Sequence, residues 1–578
     1  NGQPVPGTTV FLDGVRVNEP DFNTINFDLI PIENIKKIEI HYGPGTVFGR
    51  NSLAGVINIE TKRGRKDRPH FGLELGGGSY DRQKYSFNTD GPLPLPDMDY
   101  FFSVTRELSD GYRDQSEGRI SRISTKVGYS GLPGTDATLS YTRVDDRLKQ
   151  AGSLTRNELR TNRRQNPTSG DFSDGDLHLV TLNIKRELSS ESSLAINGFY
   201  RKNTNKSSVI GRSSVSSART GFLQGGGTIQ LSQKASIFDR TNSANLGVEY
   251  GRNLFSNRAS GSFSGFPFRS NTATEEDVVG IYFFDTLDIL RSLSLTGGFR
   301  YDWDSNHFTD RVTRPFSFRK TFNRVSPRGG VVYKLFSNLS FYFSYAEGFR
   351  TPTVAEFPAF NPPLFTPTVT NLDPVKSRSF EIGARGKLGK WAEGSLAFFY
   401  MPVRDEILFV VTDPATFSGR NDNIKRSLRR GVELTLKSHY GKWIDAFLNY
   451  SFTKATFETD ILLLSGQVNK GDEFPLVPRH RTGVGVNLYP VDGLTLSLFG
   501  NYAGRQYLLN DEPNRSKRLG ESFTLNSRAS YQWESFTATL EINNLTNEKY
   551  SSFGILGAQP FFMPAPGTNV FARINFHY

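Results

Sequence analysis

From Phe71 to the end of the 578-residue chain, apolar and polar residues alternate in short runs. An alternation of period two puts successive side chains on opposite faces of a β-strand, so each run predicts a strand with one apolar and one wet face. The last run is the clearest. Val570, Ala572, Ile574, Phe576 and Tyr578 share one face, and Asn569, Phe571, Arg573, Asn575 and His577 share the other. The same division separates Phe536, Ala538, Leu540 and Ile542 from Thr537, Thr539, Glu541 and Asn543, and Val432, Leu434 and Leu436 from Glu433, Thr435 and Lys437.

Twenty-two such runs can be delimited, beginning at 71–77, 83–90 and 99–107 and ending at 522–532, 535–543 and 568–578. The spacers between them alternate between short and long. The short ones are turn-like, as at 189–192, 337–338, 439–442 and 533–535. The long ones include 146–176, 203–220, 255–275, 304–323, 348–376, 405–427, 454–478, 504–521 and 545–567. Short turns at one end and long loops at the other are the rhythm of an outer-membrane β-barrel. Twenty-two is also the strand number of the large barrels whose lumen is plugged. A soluble β-sandwich alternates likewise, but it rarely closes on an aromatic strand after such uniform repetition.

Composition agrees with a barrel. Apolar residues are 36% and aromatics 13%, and there are 55 glycines; mean hydropathy is −0.44. A large soluble core wants more aliphatic side chains, whereas a barrel makes only one face of each strand apolar. No stretch approaches the roughly 18 consecutive apolar residues of a membrane helix. With no cysteine, neither a disulfide nor a thiolate metal site is available. The seven histidines, His41, His70, His178, His307, His439, His480 and His577, lack metal-ligand spacing, so no metal or cofactor is expected. The net charge of +11 is dispersed among acidic residues. Dispersion of this kind argues against nucleic acid and for a lipopolysaccharide surface or an anionic ligand. No nucleophile elbow, phosphate loop or paired-histidine site is present, and an enzyme is not expected.

Ahead of the alternating runs lies a stretch of different character. Ile35 to Ile40 and Gly55 to Thr61 are apolar strands joined by a turn containing Gly43, Pro44, Gly45 and Gly49. Together with Val10-Phe11-Leu12-Asp13-Gly14-Val15, this segment closely resembles the second half of the plug domain of TonB-dependent outer-membrane receptors. Gly152-Ser153-Leu154-Thr155-Arg156 is similar to a segment of the ferric-citrate-like siderophore receptors. The resemblance implies a plug portion at 1–66 inside a 22-stranded transmembrane barrel at 67–578. The signal peptide, the TonB box and the first half of the plug would then lie outside this numbering. It also implies a monomer in the Gram-negative outer membrane that imports a scarce metal chelate, energised by the TonB-ExbB-ExbD complex. Cobalamin, a quinone cofactor or an oligosaccharide are alternative cargoes, and a passive porin or structural barrel is the alternative class.

Candidate residues follow from the same segments. By resemblance, the polar turn after Val17 points into the external vestibule, which makes Asp21, Phe22 and Asn23 candidate ligand contacts. The loop 146–176 gathers Arg147, Lys149, Arg156, Arg160, Arg163 and Arg164. Guanidinium forks hold carboxylates and phosphates in a bidentate manner, so Arg156, Arg160, Arg163 and Arg164 are candidates for an anionic chelate or for lipopolysaccharide phosphate. Phe357, Phe360 and Phe365 suggest an aromatic wall for an organic chelator. They follow Gly348-Phe349-Arg350-Thr351-Pro352-Thr353-Val354-Ala355-Glu356, which resembles a family motif; the histidine that haem receptors carry beyond it is absent. The family's plug arginine, which pairs with barrel carboxylates, is replaced here by Tyr42, and the matching carboxylates are Glu381 and Glu433. Compensation for the missing cation is expected from Lys36, Lys37 or Arg50, or from a protonated carboxyl or a hydrogen bond from Tyr42.

Overall fold

The computed structural model describes residues 7–21, 23–30, 32–212, 214–237, 239–263, 265–312, 316–357, 370–413, 418–463 and 466–578. Twenty-two antiparallel strands, from His70–Gly78 to Asn569–His577, close into one barrel, and the first and last strands pair with each other. All twenty-two predicted strands are present. At the seam Phe71 and Tyr578 exchange backbone hydrogen bonds of 3.0 and 2.9 Å. Among the described residues no helix is long and apolar enough to cross a membrane; the strands cross instead.

The alternation sorts as a barrel in lipid requires. Leu73, Leu75, Ile281, Phe343, Phe398, Leu436 and Ile574 are exposed on the outer wall, whereas Lys84, Ser103, Thr105, Arg122, Lys126, Arg201 and Arg300 are buried on the inner one. Aromatic residues at the short-turn end, Trp391, Tyr440, Trp443, Tyr531 and Trp533, are exposed on the outside. Such residues belong at a lipid–water boundary, where an apolar ring and a polar edge are both satisfied.

The strands extend farther outward than expected. Ser214–Ile237, Arg240–Phe263 and Phe266–Leu290 are 24, 24 and 25 residues long, more than twice the roughly 9–11 residues that cross a bilayer. The predicted long loops 203–220, 255–275, 304–323 and 405–427 accordingly continue as paired β-strands, making tall hairpins. Above the bilayer both strand faces are wet, so the alternation that marks a strand disappears. Other predicted loops carry structure too. Segment 146–176 holds the short strand Leu154–Thr155 and a helix, Arg156–Thr161 (α1), capped by reciprocal bonds between Thr155 and Glu158. Segment 545–567 holds the hairpin Ser551–Leu556 and Pro560–Pro564, to which Leu154–Thr155 pairs.

Inside the barrel lies a four-stranded sheet built from Thr8–Leu12 (β1), Val15–Arg16 (β2), Ile35–Tyr42 (β3) and Gly55–Thr61 (β4), in the order β2-β1-β4-β3. β1 and β4 run parallel, and β3 pairs antiparallel with β4. Val10, Leu12, Val15, Val17, Leu29 and Ile59 form its apolar core, which continues into Val144, Leu177 and Leu179 of the barrel wall. β3 is the free edge. Its Ile40 and Tyr42 are exposed toward a lumenal cavity of about 1610 Å³.

Candidate functional site

The inner sheet meets the barrel through charge. Asp13, at the β1–β2 turn, accepts from Thr61 N through Oδ1 at 2.8 Å and from Thr61 Oγ1 through Oδ2 at 2.6 Å, and the barrel's Lys126 Nζ shares Oδ2 at 3.0 Å. Glu33 pairs with Lys84 at 3.2 Å and accepts from Thr105 at 2.6 Å. Arg201 projects from the wall toward the turn after Val17, donating to Val17 O at 2.8 Å and to Glu19 Oε1 at 3.4 Å.

The densest contact surrounds Arg50. Its guanidinium reaches Glu276, through both terminal nitrogens, and Asp304 at 3.0 Å. Beside it Arg300 of the wall holds Glu249 at 2.6 Å and Asp302 at 2.8 Å, and donates to Val47 O of the inner sheet's long turn at 3.3 Å. Arg16 of β2 donates to Arg50 O and Phe48 O, both at 2.6 Å, and so locks the turn that carries Arg50. Gly49 permits the close approach: its φ is +80° and a Cβ there would lie 2.7 Å from Arg300 Nη2. Burial pushes the Arg16 guanidinium down to about 10, with Glu249 opposing and Arg50 and Arg300 reinforcing the shift, so it stays charged at neutral pH. For Arg50 burial works in the same downward direction but Glu276 and Asp304 outweigh it, and its affinity for the proton rises. We call this cluster the latch.

The glycine-rich turn also touches the segment leading to Phe357. Thr46 Oγ1 donates to Glu347 O at 3.0 Å and Asn51 N to Phe349 O at 2.9 Å. A Cβ on Gly348 would come within 3.0 Å of Pro44 Cβ. Beyond it Arg350 grips Glu356 with bonds of 2.6 and 3.0 Å, and Glu356 caps Thr353 N at 2.7 Å. Any shift of the turn is thereby felt at the floor of the external loops.

Family models match twice. Residues 111–545 fit "TonB dependent receptor-like, beta-barrel", and residues 1–56 fit "TonB-dependent Receptor Plug Domain". The chain belongs to the TonB-dependent receptors. Its inner sheet is plug, and the receptor resides in the Gram-negative outer membrane. Vitamin B12 transporter BtuB of Vibrio vulnificus is 22% identical over 99% of this chain and 84% of that protein. The ferrichrome outer membrane transporter/phage receptor of Escherichia coli K12 is 24% identical over 47% of this chain, a match that spans about a third of that protein, 34%. Among solved structures, the unliganded ferric citrate transporter FecA superposes with a TM-score of 0.85 at 16% identity, over 100% of this chain and 89% of that one. The ferric yersiniabactin uptake receptor FyuA of Yersinia pestis gives 0.83 at 19%, over 99% and 89%. At such identities the two structures establish the fold.

Against this frame the predicted contacts of the receptor divide. Tyr42 is 66% exposed and lines the large cavity with Glu381 and Glu433. Among the described residues it bonds to neither carboxylate: Glu381 accepts from Tyr342 at 2.7 Å. Lys36 and Lys37 pair within the plug, with Glu60 at 2.7 Å and Glu39 at 2.6 Å. Arg50 does grip barrel carboxylates, but they are Glu276 and Asp304 on another wall. Lys36, Lys37 and Arg50 thus bond elsewhere than at Glu381 and Glu433, and Arg50 forms a separate anchor. Its partners lie more than 200 positions away in sequence, where spacing carries no signal.

At the plug apex Asn23 is buried with φ +56°, its carbonyl accepting from Asn18 at 3.2 Å, which gives it a turn-building role. Asp21 is half-buried and its carbonyl accepts from Ala355 N at 3.4 Å. In the arginine segment, Arg156 stacks over Phe562 at 5.3 Å and Arg163 donates to Tyr550 O, so both tie α1 to the 551–564 hairpin. Arg160 and Arg164 remain exposed. Arg113, not singled out from sequence, organises this segment by donating to Gly152 O at 2.7 Å and to Gln165 O. Phe357 is buried, its ring 6.1 Å from that of Phe318, and supports the loop floor. Phe22, Phe360 and Phe365 lie outside the described residues.

Proposed function

We propose that this receptor imports a ferric siderophore or a related iron chelate across the outer membrane, driven through TonB and its ExbB-ExbD partners. The observation that carries the proposal is the latch. A passive porin has no use for an internal sheet fastened by buried ion pairs, whereas a gated importer needs a hold that force can undo. Ligand binding alone shifts the plug only by its differential affinity for the held and released states, so energy from outside is required. Tall hairpins surround the apex, and the exposed guanidinium groups of Arg160 and Arg164 suit an anionic chelate. Lipopolysaccharide and outer-membrane lipid form the surroundings, and the receptor works as a monomer with residues 1–66 as plug and 67–578 as barrel. Lining residues for the cargo are Asp21, Arg160 and Arg164, with the Phe357 segment beneath them.

Growth on chelated iron as sole iron source should depend on both this receptor and TonB. Unchanged iron uptake in a deletion strain would sink the siderophore reading. Cobalamin is the second reading, favoured by the B12 transporter's match along nearly the whole chain. Thermal protection of the purified receptor separates the two, because only a bound cargo stabilises the native state by mass action.

A further inference from the structure

The outer wall carries a cluster of cations that the transport reading leaves unused. Along Val375–Leu388, Ala392–Asp413, Ser418–Tyr440 and Ile444–Phe457, buried and exposed residues alternate, which places Lys376, Arg404, Arg426, Arg430 and Lys454 on the outward face. The register sets them side by side. Lys376 faces Arg404, Arg404 faces Arg426, and Arg430 faces Lys454 as direct cross-strand partners. Directly opposed residues on one face have Cβ atoms about 4.5–5.5 Å apart, a spacing at which like charges destabilise a sheet.

Neutralisation within the chain is slight. Lys376 pairs with Asp405 at 3.0 Å. Among the described residues, Arg404, Arg426, Arg430 and Lys454 enter no ion pair or side-chain hydrogen bond; Glu458 on the same edge accepts from Thr456 at 2.9 Å, and Glu473, whose charge Lys454 also favours, is paired with Arg479. Several other exposed cations near the outer end are matched, as in Arg143–Asp176 at 3.2 Å, Arg252–Glu275 at 3.0 Å and Arg505–Glu521 at 3.0 Å, whereas the opposed Arg219 and Arg258 form a pair unmatched among the described residues but not a cluster of this size. Height fixes the environment. Arg430 is the cross-strand partner of Tyr400, Tyr400 of Phe380 and Phe380 of Tyr345. This aromatic row lies toward the long-loop end, opposite the Trp391 and Trp443 belt, and the cations sit level with it and above. That is the depth at which the phosphates of the external leaflet lie.

The structure assigns this face as a binding site for a phosphorylated lipid headgroup of the outer leaflet, bridged by Arg404, Arg426 and Arg430 and flanked by Lys376 and Lys454. Guanidinium forks suit phosphate oxygens, and an anion between opposed cations removes the repulsion that the bare wall carries. The inference concerns the lipid face alone and stands whatever the cargo.

The test uses the whole receptor in detergent, with a triple variant, Arg404→Gln/Arg426→Gln/Arg430→Gln, and a control, Arg252→Gln. Native mass spectrometry reads the binding of diphosphorylated lipid A, dephosphorylated lipid A and inorganic phosphate. Wild type and control should retain the diphosphorylated lipid, and the triple variant should bind it about tenfold or more weakly, with no fall in unfolding temperature. Equal retention by the triple variant overturns the proposal, as does equal binding of the dephosphorylated lipid. Inorganic phosphate bound as tightly as the lipid, and lost in the same variant, overturns the lipid assignment and leaves a site for free anions. Should the triple variant not fold, Arg430→Gln alone supplies the same comparison through a smaller loss.

Discussion

The two sides of the lumen hold the plug differently. Toward the strands between residues 82 and 350 the plug offers Asp13, Glu19, Glu33 and Arg50, and the wall answers with Lys126, Arg201, Lys84 and the pair Glu276 and Asp304. Toward Glu381 and Glu433 the free edge of β3 faces a cavity of about 1610 Å³. The first interface is charged and bonded, the second open. A plug gripped along one wall is released by undoing that wall, and the open side supplies room for the sheet to move. The tyrosine at position 42 thus belongs to a receptor whose anchor, within the described residues, lies elsewhere.

The largest effect should come from Arg50→Ala. It leaves Glu276 and Asp304, with side chains 8% and 1% exposed, without their cation. Removing one partner of a buried ion pair costs about 3–5 kcal/mol. The unfolding temperature should fall and ion conductance through single receptors in planar bilayers should rise. Combining Arg50→Met with Glu276→Gln and Asp304→Asn removes all three charges and should restore most of the stability. A variant lacking Arg50 that stays closed and fully stable would show that the grip lies elsewhere. Arg201→Met comes next. It strips donors from Val17 O and Glu19 in a buried setting, a loss of about 1–3 kcal/mol. The turn after Val17 should then be cut faster by protease added from outside, and unchanged cutting would make Arg201 dispensable to the apex.

How much of this was legible in sequence follows the same division. The twenty-two strands were readable because lipid on one side and water on the other impose alternation, as in Val570 to Tyr578. The hairpin extensions were not, since residues such as Ser214 to Thr220 and Asn257 to Ser262 stand beyond the bilayer, with water on both faces. β3, β4 and the turn between them were plain from glycine and β-branched residues. Arg50 is a possible counter-charge in the sequence, but its partners Glu276 and Asp304 sit in strands where polar residues recur, and nothing local sets those two apart. In the arginine segment the charges were visible, while their division was not. Whether Arg156 meets cargo or Phe562 is decided by a hairpin some 400 positions later.

That division yields a subtler contrast between neighbouring arginines. Arg160→Ala with Arg164→Ala should weaken an anionic cargo about tenfold or more, as expected for lost charge-assisted bonds, with little change in stability. Arg156→Ala should do the reverse, leaving affinity nearly intact while loosening the segment by about 0.5–1 kcal/mol through the lost cation–π contact. Isothermal titration and thermal unfolding on the same preparations read both quantities. An affinity loss confined to Arg156→Ala would move the cargo site from α1's exposed end to the 551–564 hairpin.

The smallest effect tests the open wall. Tyr42→Arg restores the residue type that the family resemblance leads one to expect, facing the cavity that Glu381 and Glu433 also line. Tyr42 is 66% exposed, so an arginine there remains hydrated and must give up side-chain freedom to reach either carboxylate. Exposed pairs of this kind contribute about 0–1 kcal/mol. The expected outcome is a barely raised unfolding temperature, unchanged conductance and unchanged uptake. A stabilisation several times larger, accompanied by slower uptake, would mean that Glu381 and Glu433 form a second anchor lacking only its cation. The plug would then be poised between two walls, and its one-sided grip would be a property of Tyr42 alone.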